Sequence, residues 1–162
     1  MEVRACVTVL GVALATFVAA AQPMEERADA VLEAALKGVS GELLTEEVRA
    51  IGTVACLQVD VGKGAQSISV AFLKRFSSLS FVRRGAQCEA RPEGAVELVA
   101  RGPALVLTAG PIVWPSVDEA HVTVKYFGSS KYSGTRVYRI MREPSGWVSL
   151  GQIIKMSPAQ QL

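Results

Sequence analysis

The chain has 162 residues, half of them apolar, one fifth charged and 6% aromatic, with a net charge of +2. That length suits one globular domain and is short for two. The apolar share excludes intrinsic disorder, and the near-neutral balance excludes a nucleic-acid scavenger. A single His and three Cys remove most metal and general-base chemistry at the outset.

Residues 1–21 read as a secretory leader. Glu2 and Arg4 precede an uncharged apolar run from Ala5 to Ala21 that closes on Val18-Ala19-Ala20-Ala21. Signal peptidases require small side chains at the −3 and −1 positions, so cleavage is expected after Ala20 or Ala21. An uncleaved anchor and a buried helix are the alternatives, and the run is short for a hydrocarbon core of ~30 Å. The remainder, 22–162, is expected to be one α+β domain, secreted or periplasmic. The chain contains no Asn, hence no N-glycosylation acceptor, and Arg outnumbers Lys 11 to 6, which suits a bacterial route.

Without the leader two cysteines remain, Cys56 and Cys88. An even count in an oxidising compartment predicts a disulfide. Its loop of about 33 residues is worth ~3–4 kcal/mol in the chain-entropy view. The alternative is two buried thiols acting as small hydrophobes.

Helical spacing of Val31, Leu32, Ala35, Leu36 and Val39 predicts a helix over 24–38, with Glu25 and Glu26 in its first turn and Gly38 as its stop. A second helix is expected from Thr45 to Ile51, stopped by Gly52. Thr53–Val61 alternates as a strand, and Gly62-Lys63-Gly64 turns the chain. Ser67 is then expected to cap a third helix carrying Ile68, Phe72 and Phe76 on one face. Strands are predicted at 81–88, 95–101, 104–114, 119–127, 135–142 and 147–155, joined by turns such as Arg91-Pro92-Glu93-Gly94 and Glu143-Pro144-Ser145-Gly146. Short connectors predict antiparallel hairpins, so the expected architecture is N-terminal helices packed on one face of a curved antiparallel sheet.

Gly110-Pro111-Ile112-Val113-Trp114, Ala120-His121-Val122-Thr123-Val124-Lys125-Tyr126, Tyr138-Arg139-Ile140 and Gly146-Trp147-Val148 follow one another in the second half. Together with Cys56 on an early strand and Gly85-Ala86-Gln87-Cys88, these segments resemble small exported, largely uncharacterised bacterial domains of cystatin-like or NTF2-like type. The resemblance covers about residues 53–155 and implies a cone-shaped α+β fold and an exported location. It transfers no catalytic residue. Relatives often carry further cysteine where Phe127-Gly128-Ser129-Ser130-Lys131 stands, so a second bridge is not implied.

Any catalytic triad would need His121, which the alternation places on a strand face with Thr123 and Lys125. A zinc site would need Cys56, Cys88 and His121, none closely spaced. Val61–Ser67 is glycine-rich but lacks phosphate-loop spacing. No metal and no cofactor is implied.

Charge is distributed unevenly. Residues 22–60 hold eight acids against three bases, and residues 61–162 six acids against 13 bases. Arg83, Arg84, Lys125, Arg136, Arg139 and Arg142 could gather on the open sheet face near His121, with Tyr126, Phe127, Tyr138 and Trp147 lining a concave pocket. The expected function is therefore non-enzymatic binding of a ligand or protein partner through the sheet. His121, Lys125, Arg136, Arg139, Tyr126, Tyr138 and Trp147 form the candidate face. An anionic envelope component or another exported protein is the expected partner, and nucleic acid is not. Two alternatives stand: an NTF2-like hydrolase or isomerase using a pocket acid with His121, and a structural envelope accessory protein.

Overall fold

The computed structural model describes residues 24–50 and 52–153. The expected leader lies outside them, as does the end of the last expected strand. Among the described residues no helix is long and apolar enough to cross a membrane.

Helix α1 spans Met24–Leu43, five residues past the expected stop. Its apolar stripe, Val31, Leu32, Ala35, Leu36, Val39 and Leu43, is buried. Gly38 does not end the helix. A Cβ there would stand 2.6 Å from Ser149 Oγ, so the glycine lets α1 lie directly on the last strand. Helix α2, Glu46–Ala50, stops before Gly52, whose φ of +81° suits a residue without Cβ.

Strand β1, Val54–Asp60, turns at Gly62 and Gly64, whose N–H groups both donate to Asp60 Oδ1. Here the structure corrects the expectation for Ser67. It belongs to β2, Ala65–Ser67, which pairs antiparallel with β1, and its Oγ accepts from the Ala86 N–H. The cap falls to Ser69, whose Oγ accepts from Phe72 N at 3.0 Å. The helix, α3, is one turn, Val70–Leu73, prolonged by a 3-10 turn over Lys74–Phe76. Ile68, Phe72 and Phe76 nevertheless point into the core as the spacing required.

The strand expected over 81–88 is three pieces: β3 (Val82–Arg84), a 3-10 turn (Gly85–Gln87) and β4 (Cys88–Arg91). β4 pairs with β5, Gly94–Glu97, as a separate two-stranded ribbon. β6 (Ala104–Ser116), β7 (Glu119–Ser129), β8 (Tyr132–Glu143) and β9 (Gly146–Gln152) form the expected antiparallel meander.

The sheet is not purely antiparallel. Its order is β2-β1-β6-β7-β8-β9, with β1 parallel to both β6 and β3. The long connection between β1 and β6 gives the chain room to cross over and return in the same direction, which a tight turn forbids. The antiparallel sheet expected from the short connectors after residue 81 did not include this parallel pairing of β1.

Two apolar clusters result. The larger lies between α1, α3 and one sheet face, where Leu36, Val39, Leu57, Leu107, Val122, Tyr138 and Ile140 are essentially inaccessible. The smaller joins Val54, Cys56 and Ala104 of the opposite face to Ala95 of the β4–β5 ribbon.

Candidate functional site

The alternation of β7 and β8 divides the seven candidate residues between two faces. Ala120, Val122 and Val124 are buried beneath α1, so His121, Thr123 and Lys125 point the other way. Across the ladder Tyr138 stands opposite Val122 and Arg136 opposite Val124, while Arg139 stands opposite His121. His121, Lys125 and Arg139 therefore share the face away from α1. Arg136, Tyr126, Tyr138 and Trp147 share the face beneath it. The expected single face of seven is not assembled, because consecutive even and odd positions were grouped together.

The helix side is packed, not hollow. Tyr138 is fully buried and its hydroxyl donates to Glu42 Oε2 of α1 at 2.8 Å. Arg136 Nη1 reaches the same oxygen at 3.0 Å. Burial above all pushes the Tyr138 hydroxyl up to about 12; the Glu42 carboxylate adds to the rise and Arg136 opposes it. Trp147 meets Trp114 edge to face, with ring centres 5.7 Å apart. The Arg27 guanidinium lies 4.2 Å from the Trp114 ring centre and also donates to the Val117 carbonyl. A shallow cleft of about 380 Å³ opens there, on the rim of the molecule. Of the aromatics expected to line a concave pocket, Tyr126, Tyr138 and Trp147 pack in the core or at the rim on the α1 side, and Phe127 lies on the opposite face against the β4–β5 ribbon.

The opposite face is unequal along its width. Its β1–β6 half is covered by the β4–β5 ribbon, which is fastened at two neighbouring points. Cys88 and Glu97 are cross-strand partners within the ribbon, and Cys56 and Arg83 are cross-strand partners within the main sheet. Cys56 is bridged to Cys88 with Cα atoms 6.2 Å apart, inside the usual disulfide range. The buried Glu97 carboxylate takes Arg83 Nε at 3.1 Å. One covalent and one ionic rung so hold the ribbon on the sheet.

Apart from the Phe127–Ser129 end of β7, which the ribbon also meets, the β7–β9 half has no such cover among the described residues. It presents Val113, His121, Thr123, Lys125, Val137 and Arg139, with Val113 59% exposed. At its margin Glu119 Oε1 accepts from Arg139 Nε at 2.8 Å and lies 2.9 Å from His121 Nε2, while Arg139 Nη2 reaches Oε2 at 3.2 Å. These partners, Arg139 first and His121 second, hold the Glu119 carboxyl below the usual carboxylate range. The sequence offers Glu119 only as a turn acid paired with Asp118, although its place two residues before His121 puts both side chains on one strand face.

The expected basic face does not form either. Arg83 is paired with Glu97, Arg136 with Glu42, Arg139 with Glu119 and Arg142 with Asp118, and Arg84 Nε donates to the Ile68 carbonyl. Lys125 alone of the six stands exposed on the bare half without an ion pair among the described residues. Comparison of the chain with protein families, with curated proteins and with solved structures gave no match.

Proposed function

We propose that this chain is an exported, non-catalytic binding module whose bare β7–β9 face docks a protein partner. The observation that carries the reading is the half-covered face: one half is roofed by a ribbon fastened through Cys56–Cys88 and Arg83–Glu97, and the other half is left open. The open half mixes aliphatic Val113 and Val137 with Thr123, His121 and Lys125, the mixed apolar and polar makeup that non-obligate interfaces share with ordinary protein surface. Internal acids neutralise the neighbouring arginines, which argues for a partner with a largely neutral surface and an acid opposite Lys125, and against an anionic polymer. The bridge and the apolar leader support the exported location. The helix-over-sheet layering is compatible with a cystatin-like or NTF2-like cone whose hollow has been filled by Leu36, Val39 and Tyr138.

The test places a photo-crosslinking residue at Thr123 or Val137, and as a control at Arg49 on the helical side, in producing cells. A recurrent adduct of one mass from the face positions alone, lost on Lys125→Glu, is expected. Equal adducts from the control position, or none from the face, would overturn the reading.

A further inference from the structure

Both tryptophans of the chain pack on the α1 side of the sheet. Trp114 lies near the end of β6 and Trp147 near the start of β9. Two strands separate β6 from β9 in the sheet order, yet the rings meet edge to face. Helix α1 carries Arg27 to this pair. Val31, one turn further along, is fully buried, so Arg27 shares the helix face that looks at the sheet. Its guanidinium lies 4.2 Å from the Trp114 ring centre and 5.4 Å from that of Trp147.

These surroundings fix the cation without neutralising it. Nη2 donates to the Ser116 and Val117 carbonyls. Nε is shut off from solvent and meets no acceptor. Ring quadrupoles and carbonyl dipoles attract a positive charge, but only an anion compensates it. Elsewhere the chain supplies that anion itself: Arg75, Arg83, Arg91, Arg136, Arg139 and Arg142 each hold a carboxylate. Arg27 holds none among the described residues. Arg49 also stands against a ring in a cleft, but Glu46 lines that cleft with it. The cleft of about 380 Å³ at Arg27 is lined by Trp114, Ser116 and Val117 and brings no acid of its own.

We infer that this cleft is a binding site for a small carboxylate with a flat apolar body, held by the Arg27 guanidinium. The site lies on the α1 side of the sheet; it goes beyond the docking reading and does not depend on it. A planar fork backed by an aromatic ring suits a carboxylate, which accepts from two N–H groups at once. One guanidinium matches a single negative charge. A phosphate dianion would lack a second cation here and would face Glu25 and Glu26 in the same turn of α1. The body of the ligand is apolar because Trp114 and the aliphatic Val117, which is 69% exposed, form the remaining wall. The ligand is small because the cleft lies near the lower end of the roughly 300–1,000 Å³ of small-molecule sites.

The test is a titration of the purified chain with phenylacetate, followed by indole fluorescence. Both tryptophans stand at the cleft, so the emission reports on this place alone. A saturable change with a dissociation constant of about 0.1–1 mM is expected for a ligand of this size. Phenylacetamide, which has the same shape without the charge, should bind the wild-type chain at least about tenfold more weakly. Phenyl phosphate should also bind more weakly than phenylacetate. Arg27→Gln should weaken phenylacetate by roughly tenfold or more, and Arg27→Lys, which keeps the charge and loses the fork, by less. Ligand line broadening in proton spectra checks the variants independently of their emission. The amide arm uses unaltered protein, so a variant that fails to fold leaves the test intact. No saturable change up to about 10 mM overturns the inference. So does equal binding of acid and amide, phenylacetate binding indifferent to Arg27→Gln in a folded variant, or a preference for phenyl phosphate.

Discussion

Reducing the Cys56–Cys88 bridge should loosen the β4–β5 ribbon before it unfolds the rest. The bridge spans 32 positions in sequence. Opening a loop of that size returns ~3–4 kcal/mol of chain entropy to the unfolded state. For a domain of this length each kcal/mol moves the melting temperature by roughly 3–4 °C, so reduction, or Cys88→Ala, should lower it by about 10–15 °C. The ribbon has a second fastening, since Arg83 Nε holds Glu97 Oε1 at 3.1 Å on the neighbouring rung. Glu97→Gln weakens that rung by about 1–3 kcal/mol. Because both rungs restrain one ribbon, the effects should be less than additive when combined. Thermal melts with and without reductant read the first quantity, and hydrogen exchange at 88–97 reads the ribbon directly. A melting temperature within 3 °C of the oxidised value, with ribbon amides equally protected, would refute the view that these rungs hold the face covered. Two alkylatable thiols in the untreated exported protein would remove the bridge itself.

Gly38→Ala should destabilise by about 1–3 kcal/mol despite alanine's better helix propensity, because its Cβ meets Ser149 Oγ at 2.6 Å; Ser149→Gly should recover most of the loss in a denaturant titration. Tyr138 keeps its proton more tightly folded than unfolded, so the stability it contributes is whole below pH 10 and lost as pH climbs toward 12; Tyr138→Phe should flatten the alkaline limb of a melting-temperature profile. Glu119 behaves oppositely: its depressed folded value gives stability that is whole above the ordinary carboxylate pKa of about 4 and fades as pH falls through the lower folded one. Glu119→Gln should therefore make the acid limb shallower and leave the alkaline limb alone, and an unchanged acid limb would show the Arg139 and His121 contacts to be without thermodynamic weight.

What could be read from the sequence followed from periodicity. The stripe Val31, Leu32, Ala35, Leu36 and Val39 marked α1, and the alternation Ala120, Val122, Val124 marked β7 and assigned His121 to the outer face. What could not be read depended on contacts distant in sequence. Nothing near Gly38 announces Ser149, so a helix-interior glycine looked like a terminator. Nothing near Val54 announces Ala104 or Val82, so the strand's parallel neighbours went unread and it was placed in an antiparallel sheet. Ser67 and Ser69 are equivalent as local caps, and only the pairing of Gln66 with Val59 decides between them. The candidate face failed for a different reason. Tyr138 and Arg139 are adjacent in sequence, and adjacency in a strand means opposite faces, as register would have required had the strands been aligned first.

The bare half-face is a consequence of connectivity. The meander β6–β9 spends only turn residues between strands and has none left to fold back over its outer surface. The long passage from β1 to β6 has residues to spare, and it supplies α3 for one face and the β4–β5 ribbon for the other. Cover is thus available only where the crossover passes, and it stops near Phe127. Beyond that line nothing among the described residues covers the surface, and Val113 and Leu150 stand exposed on it.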